Sequence, residues 1–176
     1  MDDETVKELG KLVREWVIEQ LGDPVYMAQM NAESPLEIVL RGQLWIEGEL
    51  TMLIRTALPF PQHLDFSRMH FATKISLGAA LSALPPDTHN ALKALNKLRN
   101  TLAHDHLYEL SVVDEQTLLN AMPPYGQEAI MAAEGSGAFP AKLRLTLAYL
   151  LGMMVSMRRL SQHLKSEPII EKREPS

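Results

Sequence analysis

Apolar residues in this chain recur at three- and four-residue steps in segment after segment, and no stretch alternates convincingly with a period of two. That pattern commits the chain to helices. A half-buried strand needs every second residue apolar, whereas a helix needs one apolar stripe along one face. The natural architecture is an all-α, single-domain helical bundle. The 176 residues suffice for one core, and 46% apolar against 22% charged residues is ordinary globular composition. There is no internal repeat.

The spacing predicts a first helix from Asp3 to Gln20 on Val6, Leu9, Val13, Trp16 and Val17, with Asp2, Asp3 and Glu4 at its positive end. Gly22, Asp23 and Pro24 close it, and the segment to Glu33 reads as a loop holding a turn of helix at most. Ser34-Pro35-Leu36-Glu37 is a start signal: Ser as N-cap, Pro at the first helical position, Glu closing a capping box. This second helix should run to about Leu58, where Pro59 and Pro61 break it. A third is expected from near Ser67 to Leu84. A fourth follows from a cap at Asp87 or Thr88 to about His104. Short helices over Asp114 to Met122 and Gln127 to Ala133 precede a Gly-Ser connection at 134–137, and a long last helix runs from Pro140 to about Lys165. Residues 1–166 thus form the bundle, and the charged, Pro-containing 167–176 read as a disordered tail.

Several function classes are excluded by composition. With no cysteine there are no disulfides, zinc-thiolate sites or thiol nucleophiles, which suits a reducing compartment. The N-terminus opens acidic and turns amphipathic, the wrong order for a secretory signal, so a cytoplasmic location is expected. The most apolar stretch, Leu145 to Met157, lies between Arg144 and Arg158 and is far shorter than the ~20 residues of a membrane span. It reads as a central core helix, and no membrane partner is expected. No Gly-rich phosphate loop, Ser-centred elbow or His-Glu-x-x-His pattern is present. A net charge of -5 argues against a general nucleic-acid binder. Between Arg68 and Asn100, however, Arg68, Lys74, Lys93, Lys97 and Arg99 face Asp87 alone, so the middle of the chain is locally basic.

The fourth helix carries the most informative run, Asn96 to His106, NKLRNTLAHDH. At about 100° per residue, Ala91, Leu95, Leu98 and Leu102 share one side, the core stripe, and Arg99 sits at its edge. Beyond Arg99 come Ala103, Asn96, Asn100, Lys93 and His104 within roughly 140° of arc. Asn100 and His104, one turn apart, share a face, so the amide can orient the ring or a phosphate beside it. Arg99 and His104 do not stack directly. They can converge on one phosphate if the helix frays near His104, or if two copies of the helix face each other in a dimer.

These residue types suit cleavage of a phosphodiester by a neighbouring 2′-hydroxyl. An imidazole moves a proton near neutral pH, while a guanidinium offers paired donors to phosphate oxygens and stabilises charge in the transition state. That scheme needs neither a metal nor a cofactor. Lys93 and Lys97 are candidate contacts to RNA phosphates. The bland alternative is a snorkelling Arg99 and a His104 that merely decorates a helix C-terminus, where a partly cationic ring is favourable.

The run LNKLRNTLAHD resembles the Arg-polar-x-x-x-His motif of the HEPN superfamily, and the likeness extends to LRGQLWIEGELTMLI and FATKISLGAALSALPP, covering roughly residues 34–108. The resemblance implies an α-helical bundle, commonly dimeric, and in many members a metal-independent ribonuclease of toxin-antitoxin, CRISPR or phage-defence systems. It implies a composite site built from two protomers, in which Arg99 binds and stabilises the phosphate, Asn100 positions it and His104 transfers the proton. An antitoxin or other regulatory protein is the partner it implies beside RNA. One HEPN toxin branch carries a Tyr two residues after the His. Here that position is His106, and Tyr108 is out of register. The layout is more distantly similar to mannitol operon repressor-like proteins, which implies a regulatory role through protein binding.

Glu47 and Arg41 lie near the apolar side of the second helix with Leu40, Leu44 and Leu50. Glu47 could orient Arg99 or His104 from behind, as could Asn96. Equally, Glu47 and Arg41 could be polar groups paired across the bundle, the commoner state of buried charge. His104-Asp105 is also similar to the dyad of metal-dependent HD phosphohydrolases. His63, His70 and His89 precede it, but the one later aspartate, Asp114, follows too soon to come from a distant helix. Met153, Met154, Met157, Trp16 and Trp45 read as core packing or a partner surface.

Overall fold

The computed structural model describes residues 3–133 and 139–166, and the side chains of residues 3–7, 9, 10 and 13 lie outside that description. The side chains of Val6, Leu9 and Val13 of the first stripe therefore lie outside the description, as do the Gly-Ser connection and the tail at 167–176. Among those described there are eight α-helices and no strand: α1 (Asp3–Leu21), α2 (Pro24–Met30), α3 (Pro35–Ala57), α4 (Phe71–Ala80), α5 (Pro86–His104), α6 (Val112–Asn120), α7 (Pro124–Ala133) and α8 (Ala141–Ser166). The chain is an all-α bundle with a long C-terminal helix.

The bundle is organised on the facing apolar stripes of α3 and α8, which pack along each other. Ile38, Ile46, Leu50 and Ile54 of α3 and Leu143, Leu147 and Leu150 of α8 are fully buried. Gly42 permits this approach, because a Cβ there would lie 2.9 Å from Leu147 Cδ1. The paired helices are also tied electrostatically: Arg158 donates through Nε to Glu49 Oε2 at 2.5 Å and through Nη2 to Oε1 at 3.3 Å. The remaining helices cover this pair. Helices α1, α6 and α7 lie against α8, whereas α2, α4 and α5 lie against α3. The Leu145 to Met157 stretch is the middle of α8, with Leu147, Leu150, Leu151, Met154 and Val155 buried. No described helix is long and apolar enough to cross a membrane.

Element ends differ from expectation where side chains chose other partners. Residues 24–30 form a true helix, because Asp23 Oδ1 accepts the N–H groups of Val25 and Tyr26 at 2.8 and 2.9 Å, with Pro24 at the first helical position. Ser34 is the N-cap of α3, but it makes no side-chain cap bond. Glu37 turns instead to Arg41, 2.5 Å from Nη2, so the expected capping box is absent. The capping-box pairing occurs ahead of α6, where Asp114 accepts from the Ser111 N–H and hydroxyl, each at 2.9 Å, and moves the start of that helix forward to Val112. Helix α4 is shorter at both ends than the span from Ser67 to Leu84. Asp65 captures the Ser67 N–H and hydroxyl at 3.1 and 2.5 Å, forming a 3₁₀ turn over Phe66–Arg68. At the other end Ser82 takes φ 55° and Ala83 N–H bonds back to Gly78 O at 2.9 Å, a left-handed stop. Helix α5 starts two or three residues earlier than a cap at Asp87 or Thr88 would place it, with Pro85 as its N-cap. Asp87 lies in its first turn, and Thr88 is buried with Oγ1 unbonded.

Candidate functional site

Helix α5 buries Thr88, Ala91, Leu92, Leu95 and Leu98 against the bundle. The polar band beside that stripe therefore has a fixed direction. Asn96, Arg99, Asn100 and His104 line one cleft of about 450 Å³, completed by Gln43, Leu44 and Glu47 of α3 and by residues 69–72 at the start of α4. The Asp65–Ser67 turn matters here: it delays α4 until Phe71, makes His70 its N-cap, and lays residues 69–72 against α5. Helix α5 ends at His104, with Asp105 N–H bonded to Thr101 O at 2.9 Å. Arg99 and His104 thus border the same opening within one chain, although their angular separation on the wheel is wide. Ala103 is exposed and does not line it.

Charge in the cleft is distributed unevenly. Glu47, its one lining carboxylate, accepts from Lys74 Nζ at 2.7 Å on one oxygen and from Gln43 Nε2 at 2.5 Å on the other. Both oxygens are engaged away from α5. Arg99 donates through Nη1 to Asn100 Oδ1 at 3.3 Å and forms no ion pair among the described residues. Arg99 is half-buried, while His104 is exposed. With Glu47 balanced by Lys74, the cleft retains the positive charge of Arg99, within an acidic chain.

The structure keeps some of the sequence-derived site together and separates the rest. Arg99, Asn100, His104 and Asn96 share the cleft with Glu47. Glu47 is paired across the bundle with Lys74, but Arg41 is paired along its own helix with Glu37. Lys93 and Lys97 are exposed, and neither lines the cleft; Lys97 borders a separate hollow of about 270 Å³ with Tyr108 and Asp114. The local excess of positive charge is smaller than the sequence suggests, since Arg68 meets Asp65 at 3.2 Å and Lys74 meets Glu47. In the second hollow the Tyr108 hydroxyl donates to Asp114, which raises the tyrosine above the ordinary phenol range. Burial alone would raise Asp114, but the bonds from Tyr108 and Ser111 hold it below the usual carboxylate range. No three His, Asp or Glu side chains among the described residues are grouped to hold a metal.

His70, Gln43, Leu44 and Phe71 are cleft residues that sequence reasoning missed. They come from two other elements and carry no motif. Only the packing of α3 and α4 on α5 brings them to the band. Compared with protein-family models, with curated proteins and with solved structures, the chain matches none.

Proposed function

We propose that this protein is a metal-independent endoribonuclease of the HEPN type, a toxin or phage-defence effector. The observation that carries the reading is the single cleft lined by Asn96, Arg99, Asn100 and His104, in which Arg99 has no carboxylate partner among the described residues. An unneutralised guanidinium in a concave site suits an anionic ligand, and its planar donors fit phosphate oxygens. Asn100, beside it, positions the phosphate. His104 at the open end of α5 transfers a proton during the cleavage. The resemblance in the motif adds that two protomers contribute Arg99 and His104 to one site. Leu44 at the cleft and Leu107 beyond the motif are 65% and 80% exposed, apolar surface that a second copy would cover.

The test is degradation of single-stranded RNA, tRNA and mRNA by the purified protein in EDTA. Arg99→Ala and His104→Ala are expected to slow it at least about 100-fold, the order lost with one acid–base or charge-stabilising group. A mixture of the two inactive variants should regain part of the rate if the site is shared between protomers. Wild type as inert as the variants on all three RNAs overturns the reading.

A second reading is a non-catalytic regulatory protein, HEPN-like or mannitol-repressor-like, that acts by binding another protein. It is favoured by an apolar hollow of about 460 Å³ remote from the motif, walled by Val17, Ile130, Tyr149 and Met153 of α1, α7 and α8. An inert protein that binds an antitoxin-like partner, and loses it on Met153→Glu, would establish this alternative.

A further inference from the structure

Cleavage by a 2′-hydroxyl moves two protons. One leaves the 2′-oxygen as the O2′–P bond forms, and one must reach the 5′-oxygen as the P–O5′ bond breaks. The products are a 2′,3′-cyclic phosphate and a 5′-hydroxyl, with no net proton consumed. Two groups that titrate near neutrality do this better than one. The chain has six histidines, and two of them, His70 and His104, line the cleft. The others sit elsewhere: His63 packs on the Phe60 ring at 6.2 Å, His163 on Trp16 at 6.3 Å, and neither His89 nor His106 lines the cleft.

Resting on the ribonuclease reading, we propose that His70 is a second catalytic histidine, the base that removes the 2′-proton, while His104 is the acid that protonates the departing 5′-oxygen. His70 is exposed and its ring caps nothing: it occupies the N-cap of α4 without a side-chain cap bond. The ring is therefore available to a ligand. The two histidines also stand at opposite helix ends. His104 closes α5, where the last carbonyls are left as acceptors and a ring N–H is the complementary group. His70 opens α4, where the first N–H groups are left as donors and a ring nitrogen lone pair is the complementary group. The other titratable groups facing the cleft are Arg99, and Glu47 bound to Lys74. Neither competes for the acid–base role, since Glu47 already accepts on both oxygens.

His70→Asn tests this without a folding ambiguity. Asn is among the best N-cap residues, so the variant should melt at or above the wild-type temperature. It is expected to lose about 100-fold or more in kcat with little change in KM, and to lose the acidic limb of the kcat pH profile. His104→Ala should lose the alkaline limb. An RNA oligonucleotide with sulfur in place of the bridging 5′-oxygen at the cut bond needs no acid for its leaving group. It should restore His104→Ala and leave His70→Asn slow. A His70→Asn enzyme as fast as wild type overturns the role of His70 while the ribonuclease reading stands. Rescue of His70→Asn by the sulfur substrate overturns its assignment as the base. An inert wild type overturns both.

Discussion

Lys74 Nζ lies 2.7 Å from Glu47 Oε1, joining α4 to α3 with side chains only 9% and 21% exposed. Removing one member leaves the other's desolvation unmatched, whereas replacing both with apolar groups of similar size removes the problem. Lys74→Met is therefore expected to lower stability by about 2–4 kcal/mol, and Lys74→Met with Glu47→Leu to recover most of that loss. Urea unfolding of the single and double variants is the check. A double variant as unstable as the single would show that the charges are not the source of the loss.

Two helical glycines should respond to alanine with opposite signs. A Cβ at Gly48 meets nothing within 4 Å, so Gly48→Ala gains helix propensity and should raise stability by about 0.5–1 kcal/mol. A Cβ at Gly78 would lie 2.9 Å from Leu84 Cδ1, 3.1 Å from its Cγ and 3.3 Å from Leu50 Cδ1. Leu50 and Leu84 are themselves buried, which leaves little room to yield. Gly78→Ala should cost about 1–3 kcal/mol despite the better propensity. Melting temperatures that move in the same direction would contradict the packing argument.

The long elements were legible because their stripes repeat over several turns, as in α3, α5 and α8, and the band from Asn96 to His104 followed from the same wheel. Short elements were not. Helix α2 has seven residues, too few for a period, and its Asp23-Pro24 start resembles the punctuation that ends a helix. The stop of α4 was hidden because Ser82 takes a left-handed conformation usually advertised by Gly or Asn. The far wall of the cleft was hidden for a different reason. His70 and Gln43 reach it through tertiary packing, and Lys74, which looks like surface charge in sequence, is buried against Glu47.

Tyr26 is 2% exposed, stacks edge-on to Trp45 at 5.6 Å, and has a hydroxyl without a hydrogen-bond partner. Burial pushes its pKa up to about 12. The neutral phenol is thus favoured by the fold, and this contribution drains away as pH rises from about 10 to about 12, by up to about 2–3 kcal/mol. Tyr26→Phe removes both the unbonded hydroxyl and the alkaline loss. The variant should exceed wild type in stability by about 1 kcal/mol at pH 7. Its advantage should widen at pH 11, as read by urea unfolding at the two values. A gap that stays constant would place the titration elsewhere.

Glu115 of α6 is 4% exposed, and its Oε2 accepts the Leu143 N–H at 3.0 Å. Leu143 lies in the first turn of α8, so a carboxylate from another helix satisfies one of the donors that a helix start leaves free, at the end where negative charge is favoured. Glu115→Gln keeps an acceptor and loses the charge, at an expected cost of about 1 kcal/mol. Glu115→Ala leaves a buried N–H unbonded and a small void, at an expected cost of about 2–4 kcal/mol. Amide exchange at Leu143 separates this cap from general loosening. It should accelerate more in Glu115→Ala than exchange at Leu150, deep in the same helix. Uniform acceleration along α8 would show that Glu115 acts by filling space and not by holding the start of the helix.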